Sequence, residues 1–216
     1  MNLNQVFQQL SGIGFRVSFQ GKALKEFDIE QALVEALYFI DQEGRLLSLI
    51  LSWLTHHGAY LNVDKFFREY EKGIKYRGET PWFSGICAFM LYKRDHRFKK
   101  GVTKISPVHH IGGRNQNSLI KMKGAVSYFK DIGLLVAESS LRIREEDILG
   151  PAELISQNRQ YRNRHLFGAN WRADIITVIQ EGAENANQVA KKLGLQRSRV
   201  GIVFKEYLLV ESFLKN

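Results

Sequence analysis

Cysteine and long apolar runs are what this chain has least of. A single cysteine, Cys87, excludes an internal disulfide framework and fits a reducing compartment. It lies in the apolar run 86–91, which reads as buried chain, so the thiol is expected to behave as a small hydrophobe. The longest apolar runs are short and interrupted, so none is expected to span a bilayer. The first residues lack a signal-peptide pattern.

Familiar reaction motifs are also missing. The histidine pairs His56-His57 and His109-His110 have no Cys or carboxylate neighbours at zinc-ligand spacing, so no metal is expected. The stretch 112–118 can cradle an anion before a helix, but it lacks the Lys-Ser/Thr of a P-loop. No nucleophile elbow and no kinase signature set occurs. The acidic run Glu145-Glu146-Asp147 stands beside Pro151, where compensation of a helix N-terminus accounts for it. These residues give no reaction and no cofactor, and the expectation is a protein that is not an enzyme.

What is present is a core and an uneven charge. The chain has 216 residues, 44% of them hydrophobic and 12% aromatic, enough for one large domain or two small ones. The net charge is +9, and its placement matters. Residues 1–92 carry 9 basic and 10 acidic side chains, 93–130 carry 10 and 1, 131–153 carry 2 and 6, and 154–216 carry 10 and 5. Two basic blocks separated by an acidic one suit a polyanionic partner, because localised positive charge releases counterions from nucleic acid.

Along the chain, residues 1–12 form an amphipathic stretch, and 15–19 alternate as a half-buried strand would. Asp28 can cap a helix over 29–40. A helix apolar almost all round follows over 46–54, then one over 63–70, a loop over 73–81, and a buried helix over 82–92 continued by the basic residues 93–100. Residues 101–117 read as a linker, 118–132 as a helix, and 134–144 as a small β-hairpin. A helix from Pro151 leads into 158–165, where Arg159, Tyr161, Arg162 and Arg164 can clamp phosphates or form a solvated connector.

The last 46 or so residues read as three short helices. Ala173, Ile175, Ile176 and Ile179 make an apolar stripe closed by Gly182. Asn185 or Asn187 can cap a second helix whose Val189, Ala190 and Leu193 face inward. Gly194 supplies a tight turn, Leu195 plugs the core, and a third helix carries Val200, Val203, Phe204 and Tyr207 inward. This spacing leaves Gln196, Arg197, Ser198 and Arg199 outside, at the start of the third helix. There Arg can bind guanine bidentately and Gln can bind adenine.

Through residues 188–200 the chain resembles bacterial winged-helix transcription regulators of the MarR and ArsR kind. The resemblance is confined to about residues 171–210. It implies a winged-helix-like helix-turn-helix over 169–216, with 208–213 supplying one strand of a wing. The segment 128–139 parallels 203–212, which raises a second, degenerate winged helix over 45–148 with 118–132 in the recognition position.

The expected fold is therefore mainly α. It comprises a helical domain over 1–150, a basic helical connector over 151–168, and a helix-turn-helix domain over 169–216. The expected function is that of a cytoplasmic regulator of bacterial or phage type, binding double-stranded DNA as a homodimer without membrane contact. Gln196, Arg197, Ser198 and Arg199 would read bases. Arg172, Lys191, Lys192, Lys205, Arg114, Lys121 and Lys123 would contact phosphates. Two other readings stand beside it: an antitoxin or scaffold that binds a protein through its helical N-terminal half, and RNA binding through the basic block 93–130.

Overall fold

The helix Pro81–Tyr92 is apolar on every side and is correspondingly enclosed on every side, with Trp82, Ile86, Cys87 and Phe89 at 0–1% exposure. The chain was analysed as a computed structural model that describes residues 1–19, 27–111 and 115–214. That central helix, α5, packs against α2 (Ile29–Leu37), α3 (Arg45–His57) and α4 (Val63–Arg77), and α1 (Leu3–Gly12) packs on α2. Four of the five starts have a local chemical cause. The Asn2 side chain accepts from Gln5 N while the Gln5 side chain returns to Asn2 N, a reciprocal cap on α1. Asp28 accepts from Gln31 N, Asn62 accepts from Lys65 N, and Pro81 occupies the first turn of α5, where its missing N–H costs nothing.

The rest of the body is a two-strand parallel pair, β1 (His109–His110) with β2 (Leu134–Leu135), and the short helices α6 (Asn115–Lys123) and α7 (Ser127–Lys130). Then follow α8 (Pro151–Gln157), α9 (Arg159–Phe167), α10 (Trp171–Gln180), α11 (Ala186–Leu193) and α12 (Arg197–Leu214). The protein is mainly helical with this one tiny sheet among the described residues. One apolar cluster runs from Val6 to Tyr161, and a second gathers Trp171, Ile175, Val189, Val200 and Phe204.

Several expectations from the sequence are corrected. The loop expected over 73–81 is helical as far as Arg77, because Gly73 sits inside α4 where the chain passes close to the Tyr38 ring. The basic extension of α5 does not form. Arg94 takes a left-handed φ of 67°, and the chain doubles back as a 3-10 helix, His96–Gly101, that buries Phe98 against α5. Residues 15–19 contribute one bridge, Phe15 to Ile148, instead of a strand.

Neither the continuous helix 118–132 nor the hairpin 134–144 needed by a second winged helix over 45–148 is present. Gly124, at φ 83°, separates α6 from α7. Beyond β2, the amides of Arg142 and Arg144 donate to the Ser48 and Ser52 hydroxyls of α3 (3.1 and 3.0 Å) and not to a strand partner. The single strand expected over 208–213 is helix as well, since α12 continues to Leu214.

Candidate nucleic-acid interface

The three helices α10, α11 and α12 assemble from residues whose local preferences agree. Asn170 starts α10 by accepting from Arg172 N and Ala173 N. Asn185 does the same for α11, accepting from Asn187 N and Gln188 N at 3.1 and 3.0 Å. Gly194 ends α11 at φ 61°, ψ 36°, a left-handed position that a side chain would strain. Val189, Ala190 and Leu193 then face Val200 and Phe204 of α12 and Trp171, Ile175 and Ile179 of α10, with Leu195 half-buried between them. This arrangement is the one read from the spacing.

Gln196, Arg197, Ser198 and Arg199 are all exposed at the start of α12. Among the described residues, Arg197 and Arg199 form no ion pair with the rest of the chain. One turn on, Ile202 is 63% exposed on the same outward side as Ser198 and Arg199. Counting residues along α12 would have found it, but it was not among the candidates.

The candidate phosphate contacts divide. Lys191 and Lys205 are exposed and make no ion pair among the described residues. Arg172 reaches Glu206 at 2.7 Å and Lys192 reaches Glu181 at 2.5 Å, so both already have carboxylate partners. Lys121 and Lys123 are exposed on α6, away in the body. Arg114 lies outside the described residues. The connector arginines divide too. Arg159 and Arg162 donate to the Gln180 and Ile155 carbonyls, whereas Arg164 and Tyr161 are enclosed at 1% and 0% exposure and reach no solvent. In place of a fully solvated connector, α9 is a helix with one face buried, through Gln160, Tyr161, Asn163 and Arg164.

Burial of α9 follows from an ionic layer that joins the body to α10. The Arg164 guanidinium donates to both Glu30 carboxylate oxygens (2.5 and 2.7 Å), to Asp174 (2.8 Å) and to the Tyr60 carbonyl (3.0 Å). Asp174 also accepts from Asn62 (2.7 Å) and Gln160 (2.9 Å), and the Lys65 ammonium lies between Asp28, Glu30 and Asp174. Burial works to raise the Asp174 carboxyl, but the Arg164 and Lys65 charges and the amide donors overcome it and hold the group far below its ordinary range. One face of α10 thus packs in the three-helix core while Asp174 and Thr177 fasten an adjoining face to the body.

A second fastening reaches the turn itself. Arg68 of α4 donates to the Leu193 and Gly194 carbonyls at the C-terminal end of α11, and its guanidinium lies 4.3 Å over the Trp171 ring. Cations are favoured at that end of a helix, and stacking on Trp adds to the attraction. Asp64, one turn earlier on α4, lies 4.0 Å from Lys100, whose ammonium also covers the Phe67 ring at 4.3 Å. Lys100 of the 3-10 helix thus contacts α4 one turn before the residue that holds the turn preceding Gln196. Nothing in the charged sequence of α4 signals these roles for Arg68 and Asp64.

No known protein family matches the chain, and neither does any curated protein or solved structure. Among the described residues, no group of three His, Cys, Asp or Glu side chains gathers as metal ligands would, and no helix is long and apolar enough to cross a membrane. Cys87 is buried, which pushes its thiol up to about 12.

Proposed function

We propose that the chain is a double-stranded DNA-binding transcription regulator that reads sequence with the first two turns of α12. The observation that carries this is the set Gln196, Arg197, Ser198 and Arg199, exposed and without ion pairs among the described residues at the start of a helix whose other face is fixed by a packed three-helix core. A recognition helix needs this combination: rigid placement from below and polar side chains free above. Arg197 and Arg199 supply bidentate donors for guanine, Gln196 matches adenine, and Ile202 offers an apolar contact for a thymine methyl.

Lys191 and Lys205 would fix register through phosphates without contributing sequence information. Arg172 and Lys192 contribute less, because each must first leave a carboxylate.

Selection from a randomised duplex pool tests the reading. The protein should enrich one motif, and R197A combined with R199A should erase the preference, at about 1–3 kcal/mol per lost bidentate contact. An unchanged motif in the double variant would remove these residues from recognition.

A further inference from the structure

A pocket of about 370 Å³ opens between the start of α3 and the extended stretch 140–144. Three arginines line it, Arg45, Arg142 and Arg144, against one acid, Asp147, a net charge of +2. The backbone builds this arrangement. Ser48 and Ser52, one turn apart on α3, accept the amides of Arg142 and Arg144 at 3.1 and 3.0 Å, which lays the stretch along the helix. Side chains two apart in an extended chain share a side, so Arg142 and Arg144 project together. Leu47, Ile111 and Val136 form the floor, each 0–4% exposed.

Among the described residues, none of the three guanidinium groups makes a hydrogen bond. Arg45 stands 3.9 Å from Asp147 and Arg144 stands 3.9 Å from Glu146, both beyond hydrogen-bond reach, and Arg142 forms no ion pair there. By contrast, carbonyls hold Arg68 and carboxylates hold Arg77 and Arg164 at hydrogen-bond distance. The pocket thus sets uncommitted donors above an apolar floor.

We propose that it binds a small amphiphilic carboxylate, with the head between Arg142 and Arg144 and the hydrocarbon tail over Leu47, Ile111 and Val136. Guanidinium groups match a carboxylate bidentately. An inorganic anion would leave the floor uncovered, and a neutral amphiphile would leave the arginines without a counterion. The volume lies within the range of small-molecule sites, about 300–1,000 Å³. No residue of α10, α11 or α12 lines the pocket, so the proposal stands or falls independently of the regulator function.

The test is calorimetric titration of the full chain with octanoate, octan-1-ol and inorganic phosphate, on the parent and on R142Q/R144Q. Both substituted positions are exposed. The variant K72Q/K75Q, which removes two exposed charges from α4 away from the pocket, controls for general loss of positive charge. The parent should bind octanoate saturably, one per chain, and the alcohol and phosphate at least about tenfold more weakly. R142Q/R144Q should lose about tenfold or more for octanoate, and K72Q/K75Q should stay within about twofold. Octanoate should also slow hydrogen exchange in the parent over 140–144, a readout that needs no variant.

Absence of saturable octanoate binding overturns the proposal. So does an alcohol that binds as tightly as the acid, which marks apolar uptake without the arginines, or phosphate that does so, which marks surface charge alone. Unchanged affinity in R142Q/R144Q, or protection that falls outside 140–144, removes the site from this pocket.

Discussion

Replacing Arg164 by Met should be among the most damaging single changes available in this protein. The guanidinium is 0% exposed and neutralises Glu30 and Asp174, which are 0% and 1% exposed. Without it, three carboxylates, Asp28, Glu30 and Asp174, share one ammonium, Lys65, which stands 3.6 Å from Glu30 and 3.5 Å from Asp174. Removing one partner of a buried pair leaves its counterpart desolvated and uncompensated, a loss of about 3–5 kcal/mol. For a chain of this length each kcal/mol moves the melting temperature by about 2–4 °C, so a drop of roughly 6–20 °C is expected.

The decisive control is the double variant E30Q/R164M, which removes equal and opposite charges and should lose less stability than R164M alone. Calorimetry or thermal circular dichroism at neutral pH measures both. A fall of under about 3 °C for R164M, or effects of E30Q and R164M that simply add, would show that the ionic layer does not hold α9 and α10 to the body.

Other consequences follow from the same contacts. His57 is buried with Nδ1 2.8 Å from the Tyr161 hydroxyl and Nε2 3.0 Å from the Leu149 carbonyl, and burial lowers its pKa to about 4. The unfolded chain then binds a proton more readily, so stability should be complete above about pH 6.5 and decline as pH falls toward 4. H57Q should flatten that slope in urea titrations run across this range. Asp174, held low, adds a second acid loss that begins only below the ordinary carboxylate range near 3.8, and D174N should reduce it in acid-unfolding curves. Cys87 should resist a thiol reagent in the native protein and react fully once urea unfolds it; fast native reaction would contradict its burial. R68A should weaken specific duplex binding severalfold by loosening the turn before Gln196, with hydrogen exchange quickening first around 193–196.

The parts of this fold legible in the sequence are those where local chemistry and burial agree. Asn185, Gly194 and the spacing of Val189, Leu193, Val200 and Phe204 each point to short helices broken at Gly194 and packed through these residues, and the helices α11 and α12 and their shared cluster are where the spacing puts them. Misreadings arose where distant contacts override a local signal. Gly73 looked like a helix stop, yet the approach of Tyr38 gives it a place inside α4. Leu208-Leu209-Val210 looked like a strand, but they continue the periodicity of Phe204, Tyr207 and Glu211 along α12. Residues 134–144 looked like a hairpin, and serines from α3 take the amides that a second strand would have paired.

The ionic layer was illegible for a different reason. Glu30, Lys65, Arg164 and Asp174 are far apart in sequence and look like ordinary surface charges on amphipathic helices. Only tertiary placement brings them together and seals them from water.

Duplex affinity as a function of salt bears most directly on the central claim. If the start of α12 enters a DNA groove while Lys191 and Lys205 meet phosphates, the logarithm of the binding constant should fall linearly with the logarithm of salt concentration. The slope should be about −0.9 per phosphate contacted, and K191A/K205A should make it shallower by nearly two. Duplex should also be preferred over single strands of the same sequence. A tighter grip on single strands, or no measurable duplex binding below physiological salt, would contradict the account.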